Sequence, residues 1–203
     1  MAKFTFVAQK IRKQQYKVAC NNDWKGKSMF IEDSARLSFH YITDADVEFL
    51  WELDQDEEVM RFISDGQKTS REDITNTFVP RFQAYSNPAL GWGLWRVQEK
   101  ESEEDIGWVL VRPFGFFTKN PEIDNIELGW RFKQASWGKG YATEAAMQVK
   151  DALYQIGIDK FCAMAKPENL NSIKVMEKIG MTFSHEIEYK DNLYQEKVVV
   201  YTT

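Results

Sequence analysis

Apolar and polar residues alternate along several stretches of this chain with the period of two that a half-buried strand requires. The clearest lies in residues 123–132, where Ile126, Leu128, Trp130 and Phe132 alternate with Glu127, Gly129 and Arg131. Residues 35–41, 93–98, 106–111, 160–165, 183–189 and 196–202 also read as strands. Helical spacing fills much of the rest. Thr43 predicts an N-cap followed by Asp44 and Asp46, with Val47, Leu50 and Trp51 on one face. Ser70 caps a second helix that carries Ile74, Phe78 and Phe82 at i, i+4 and i+8, with Pro80 expected to disturb it. A third helix is expected over about 140–156, and a fourth over 169–179, stopped by Gly180. The short acidic stretch 99–105 predicts an antiparallel hairpin. Together these elements predict an α/β fold with a sheet of mixed direction. Residues 1–30 read as an appendage with short strands at 4–7 and 16–19 and a turn around Asn21–Asp23 and Gly26.

The strand ending at Phe132 is followed by a glycine turn. Gly138 and Gly140 bracket Lys139, and a run of helix formers follows Tyr141, Ala142 and Thr143. A strand that empties through glycines into a helix start makes an anion site. The backbone approaches closely, and unpaired amides point along the positive end of the helix dipole. The expected ligand is a phosphate-bearing cofactor. Lys139 either adds charge there or points to solvent.

Composition narrows the class. Hydrophobic residues make up 43% of 203 residues, enough for a core of one domain with an appendage. Apolar runs fall short of the ~18 residues of a membrane helix. The first twenty residues lack the continuous apolar segment of a secretory signal. Cys20 and Cys162 stand far apart, which fits a reduced, cytoplasmic setting better than a disulfide scaffold. With His40 and His185 isolated, no metal site is expected. Residues 1–33 carry seven Lys/Arg and three Asp/Glu, while the remainder carries nineteen against twenty-eight. An acidic body argues against general nucleic-acid binding.

Four segments, in order, resemble the GNAT acyltransferase superfamily: ARLSFHYITDADVEFLWEL, IELGWRF, SWGKGYATEAA and ENLNSIKVMEKIGM. Within it the chain is similar to the branch of ribosomal-protein N-terminal acetyltransferases, of RimJ/RimL type. The resemblance covers about residues 35–202 and implies an appendage at 1–33 and an acetyltransferase domain at 34–203. It implies a mostly antiparallel central sheet flanked by helices and splayed to admit acetyl-CoA. Pantetheine would then lie along strand residues 127–132, against the main chain of Trp130, Arg131 and Phe132. The turn amides of residues 138–143, with Gly138, Lys139, Gly140, Tyr141, Ala142 and Thr143, would hold the pyrophosphate. Ala135 stands where the family pattern has Gln or Arg, which puts one side-chain contact in doubt. By the same resemblance Asn169 would hydrogen-bond the cofactor, and Lys174 would approach its phosphates. Asn169 also reads as a plain helix N-cap, and Lys174 as part of a solvated helix face.

The implied reaction is direct attack of a primary amine on the acetyl thioester. Glu127 would take the amine's proton, in part through water, and a strand amide near Trp130 would meet the oxyanion. On residues alone, Glu127 reads equally as a solvent-facing strand glutamate. The family's tyrosine acid falls at Met176 here, so Ser172 is the candidate donor to the leaving thiolate; it also reads as an ordinary first-turn residue. The acceptor implied first is a protein N-terminal α-amine, whose pKa near ~8 asks little of a base. A small amine, such as a polyamine or amino sugar, and a non-catalytic acyl-CoA-binding module are the alternatives. By the resemblance the acceptor site is shaped by the first two helices, their loop and the closing strands, where Trp51, Glu52, Asp54, Asp56, Glu57, Glu58, Phe62, Phe82 and Tyr85 are the candidates; the carboxylates read also, and more readily, as a charged exposed helix end, and the aromatics as core. The assembly is expected to be a monomer or homodimer, without nucleic acid or membrane partners.

Overall fold

A computed structural model of the chain describes residues 28–203. The strand expectations at 4–7 and 16–19 lie outside the described residues. Among the described residues, seven strands form one sheet: β1 (Leu37–Tyr41), β2 (Gly93–Glu99), β3 (Asp105–Phe114), β4 (Glu122–Phe132), β5 (Phe161–Ala165), β6 (Thr182–Lys190) and β7 (Gln195–Thr202). Their order across the sheet is β1-β2-β3-β4-β5-β7-β6. Every neighbouring pair is antiparallel except β4 and β5. The hairpin expected across residues 99–105 joins β2 and β3.

Both faces of the sheet are covered, which follows from the alternation along its central strands. Leu94 and Trp108 point to one face, while Trp95, Val109 and Val111 point to the other. On the first face lie α1 (Val47–Leu53), α2 (Glu57–Met60), α3 (Arg71–Asp73) and α4 (Val79–Tyr85); Leu50, Leu53 and Phe82 are buried from these helices and Ile74 from the turn that joins α3 to α4. On the second lies α5 (Tyr141–Gln155), burying Ala145, Ala146, Val149 and Leu153, beside α6 (Leu170–Lys178), which buries Met176.

The caps fall where the residues ask for them. Thr43 accepts from the amide of Ala45, and Asp46 accepts from the amide of Thr43, closing a capping box. Ser70 accepts from the amide of Asp73. The expected disturbance at Pro80 is a π-helical stretch, Ile74–Phe78, between α3 and α4. A proline cannot donate to the preceding turn, and the wider π turn accommodates that missing bond.

Residues 28–33 pack against this body. Met29 and Ile31 are buried in the core of the second face, and the Met29 amide donates to the carbonyl of Pro88 at 2.7 Å. Ile31→Ala is therefore expected to destabilise the fold by about 3 kcal/mol. Urea unfolding checks this; an unchanged midpoint would mean that the segment is a passive covering.

Candidate active site

The parallel junction between β4 and β5 is short. Only Ile126 with Phe161 and Glu127 with Cys162 are in register. Beyond them β4 continues to Phe132 on β3, and β5 continues to Ala165 on β7, but the two strands no longer pair. At the junction the Ile126 amide donates to the carbonyl of Lys160 at 2.9 Å. Main-chain groups alternate sides with period two, so the N–H and C=O of Leu128 and Trp130 face the gap that β5 has left. A strand edge opened in this way accepts an extended ligand as an added strand.

The gap leads into a cavity of about 270 Å³. Its walls come from β4, the end of β5, the start of α6, the β6–β7 hairpin and the aromatic faces of α4. Glu127 stands in this wall, 4% exposed. Its strand partner across the ladder is Arg112. The guanidinium donates twice to the carboxylate, Nε to Oε2 at 2.8 Å and Nη2 to Oε1 at 2.9 Å. Burial pulls the Arg112 guanidinium down, but Glu127 beside it outweighs that and holds it above its ordinary value. Burial pushes the phenols of Tyr85 and Tyr189 up, so both stay protonated at neutral pH. The Cys162 thiol, fully buried in register with Glu127, is likewise raised by burial and is no nucleophile at neutral pH.

Past Phe132 the chain makes the glycine turn. Gly138 and Gly140 have φ of +75° and +82°, and a Cβ at Gly138 would meet nothing within 4 Å, so space lies open beside that backbone. Gly140 is the N-cap of α5 and offers no side chain, which leaves the amides of Tyr141, Ala142 and Thr143 without a side-chain cap. Arg36 braces this turn. It donates to the carbonyl of Lys139 at 3.1 Å and pairs with Glu144 at 2.6 Å. Its guanidinium also lies 4.5 Å from the ring centre of Tyr141.

This splayed strand, glycine turn and helix start occur in order within a stretch matched as a whole: the sequence profile of the acetyltransferase (GNAT) domain covers residues 36–182. The chain belongs to the GNAT acetyltransferase family. A Bacillus subtilis (strain 168) relative, the uncharacterized protein YkkB, is 31% identical over 166 residues, 79% of this chain and 89% of its own length. The crystal structure of a GNAT-family acetyltransferase from Bacillus anthracis matches with a TM-score of 0.66 at 27% identity, covering 86% of this chain and 98% of that one. RimL, the ribosomal L7/L12 alpha-N-protein acetyltransferase, solved in complex with coenzyme A, matches with a TM-score of 0.64 at 15% identity, covering 85% and 96%. As a GNAT N-acetyltransferase, the protein uses acetyl-CoA as its acyl donor.

The structure brings five of the expected site residues to one cavity. Glu127, Trp130, Arg131, Asn169 and Ser172 all line the cavity. Asn169 is the N-cap of α6, and its Oδ1 accepts from the Ser172 amide at 3.2 Å. Several expectations are corrected. Glu127 is not solvent-facing, because helices cover the face of the sheet that its alternation selects. The main chain of Arg131 belongs to the β3 side of the strand, in register with Trp108, and its side chain is held in a buried pair with Asp54 over the Trp108 ring. The carbonyl of Phe132 already accepts from the Trp137 indole at 2.8 Å, which leaves Leu128 and Trp130 as the free strand edge. The Tyr141 hydroxyl donates to Glu99 at 2.5 Å, so only its main chain faces the turn. Lys139 and Lys174 are exposed, and neither lines the cavity.

The acidic run expected at the acceptor end is used for structure. Asp56 caps α2, and Asp54 holds Arg131. Phe62, Phe82 and Tyr85 do line the cavity. Sequence reading missed Arg112, Arg81, Tyr189 and Asp191. Burial pushes the Asp191 carboxyl up, but the amides of Leu193 and Tyr194 and the Arg81 guanidinium together hold it below its ordinary value.

Removing one partner of a buried ion pair strands the other. Arg112→Met is expected to cost about 3 kcal/mol, with much of the loss recovered in the double variant Arg112→Met/Glu127→Met. Chemical denaturation of the three proteins checks this; a double variant no more stable than the single would rule out an uncompensated Glu127 charge as the cause.

Proposed function

We propose that the glycine turn and the free edge of β4 hold acetyl-CoA, and that Glu127 serves the amine that attacks it. The observation that carries this reading is the parting of β4 from β5 directly after Glu127. It puts a buried carboxylate, an open strand edge and the cavity in one place. Amides of residues 141 to 143 would receive the pyrophosphate, with Gly138 and Gly140 admitting it closely. Leu128 and Trp130 would pair with the pantetheine amides, and a β4 amide near Trp130 would meet the developing oxyanion.

Glu127 is held rigidly by Arg112, yet each carboxylate oxygen keeps a lone pair for a water or an amine proton. This favours proton removal through one water, with the carboxylate orientation fixed beforehand. Ser172 would donate to the departing thiolate from the first turn of α6. Met176 is fully buried and takes no part. The acceptor is a primary amine. The protein N-terminal α-amine and the small-molecule amine both satisfy this chemistry. A reducing, cytoplasmic setting belongs to the same reading, supported by two cysteines far apart in sequence.

Two substitutions test the two halves. Glu127→Gln should lower turnover at neutral pH by about 10²-fold and recover partly as pH rises toward the amine's own pKa. CoA-thiol release across pH measures this, and an unchanged profile would remove Glu127 from the chemistry. Gly138→Val places a branched side chain in the open space beside the turn, at a φ that only glycine adopts freely. Acetyl-CoA binding by calorimetry should fall at least tenfold; full binding would move the phosphate site elsewhere.

A further inference from the structure

The cavity has a charge pattern of its own. Seven charged side chains line it, and each is already paired. Arg112 holds Glu127, Arg131 holds Asp54, and Arg81 holds Asp191. Lys166 holds Glu196 at 3.3 Å and Asp65 at 2.9 Å. Between these pairs the surface is aromatic, with Phe62, Phe78, Phe82 and Trp108 among its faces. One polar group in the α4 wall is uncommitted. Tyr85 is 4% exposed, its ring is held edge-on by Phe116 at 5.8 Å and Phe117 at 6.1 Å, and among the described residues nothing hydrogen-bonds its hydroxyl.

We propose, resting on the acetyl-transfer reading above, that the acceptor is a compact primary amine on a flat apolar body without a second charge, and that the Tyr85 hydroxyl is the group that hydrogen-bonds it. A singly charged amino sugar must bury its hydroxyls against apolar faces, and a polyamine or amino sugar bearing several ammonium groups must bury a further cation. That costs several kcal/mol unless a carboxylate is free to receive it, and each carboxylate in this wall already faces a cation. A peptide brings an N–H and a C=O with every residue it buries, each needing a partner. In the proposed arrangement the open strand edge that would supply those partners is taken by the acyl donor. An apolar ring asks only for aromatic faces, and these walls supply them. Tyr85 thus acts as a specificity-determining residue: its phenol, kept protonated, donates to or accepts from the polar end of the acceptor.

The test is calorimetric binding to the CoA-loaded full-length protein with four probes: 2-phenylethylamine, spermidine, glucosamine and trialanine. 2-Phenylethylamine is expected to bind at least tenfold more tightly than the other three. Tyr85→Phe, which keeps the ring packing, should weaken it about fivefold, the worth of one neutral hydrogen bond. Arg81→Met leaves the Asp191 carboxylate without its guanidinium and should raise spermidine affinity about tenfold, with thermal unfolding confirming that the variant is folded. Tighter binding of spermidine, glucosamine or trialanine, or no binding of any probe, overturns the proposal. Unchanged affinity in Tyr85→Phe overturns the role of Tyr85, and no gain in folded Arg81→Met overturns the paired-charge argument. Acetyl transfer is read separately: 2-phenylethylamine that binds without being acetylated leaves this inference standing and overturns the acetyl-transfer reading of the site.

Discussion

The geometry of this protein turns on a parallel strand pair that lasts only two residues. A sheet ordinarily satisfies its main-chain groups by continuing the ladder. Here β4 and β5 separate after Glu127 and Cys162, although each goes on pairing with its outer neighbour. The separation survives because both strands are fixed independently. β4 is pinned along its length by β3, and β5 by β7, while packed side chains on both faces keep the two halves of the sheet from closing. What remains is a short strand edge inside the protein with its hydrogen bonds unspent. An extended, amide-bearing ligand repairs that deficit, which is the physical reason that a splayed sheet suits an acyl-CoA.

The same divergence explains the buried ion pair. Glu127 is the last β4 residue before the gap, and its alternation turns it toward the helical face where Tyr85 and Phe82 close the wall. A carboxylate buried this deeply needs a counter-charge within contact distance. The ladder supplies one in Arg112, directly opposite on β3. The bidentate contact fixes both oxygens in a plane, so whatever Glu127 meets in the gap, it meets in one orientation. The pairs around it follow the same rule, and the charged residues of the cavity are therefore structural in their energetics even where they face a substrate.

How far the sequence could be read depended on the kind of signal. Strands β2 to β5, the caps at Thr43 and Ser70 and the Gly138–Gly140 turn carry local signatures, and local signatures survive folding. Burial of Glu127 carried none: period-two alternation says which residues share a face, but a second covered face is visible only once α1 to α4 are placed on it. Arg112 was masked for a related reason. Pro113 follows it, and a proline reads as a strand end, yet β3 runs on through Pro113 to Phe114 with a register shift there. The acidic residues from Glu52 to Glu58 stayed open to two readings because charge density alone does not separate a cleft from a helix end, and Asp56 is a helix cap. Arg81 and Asp191 are 110 residues apart and meet only in the fold. The sequence contained a direct signal for neither.

The two faces of the sheet divide the proposed substrates between them, and the turn shows how. An acid in the first turn of a helix suits the helix dipole but opposes a phosphate placed at the same end. Glu144 is such an acid, and in isolation it would work against the anion site. Its carboxylate is answered by Arg36, by the Arg36 amide and by the Ser34 hydroxyl, which outweigh burial and hold it below its ordinary value. Arg36 and Ser34 come from the segment leading into β1, and Glu99, which receives the Tyr141 hydroxyl, ends β2. The proposed donor end is thus braced by the β1–β2 edge and α5, while the proposed acceptor end is walled by α4 and the β6–β7 hairpin. The strand that both ends share is β4, which is why substitutions along its gap side should disturb both substrates, and substitutions in either wall only one.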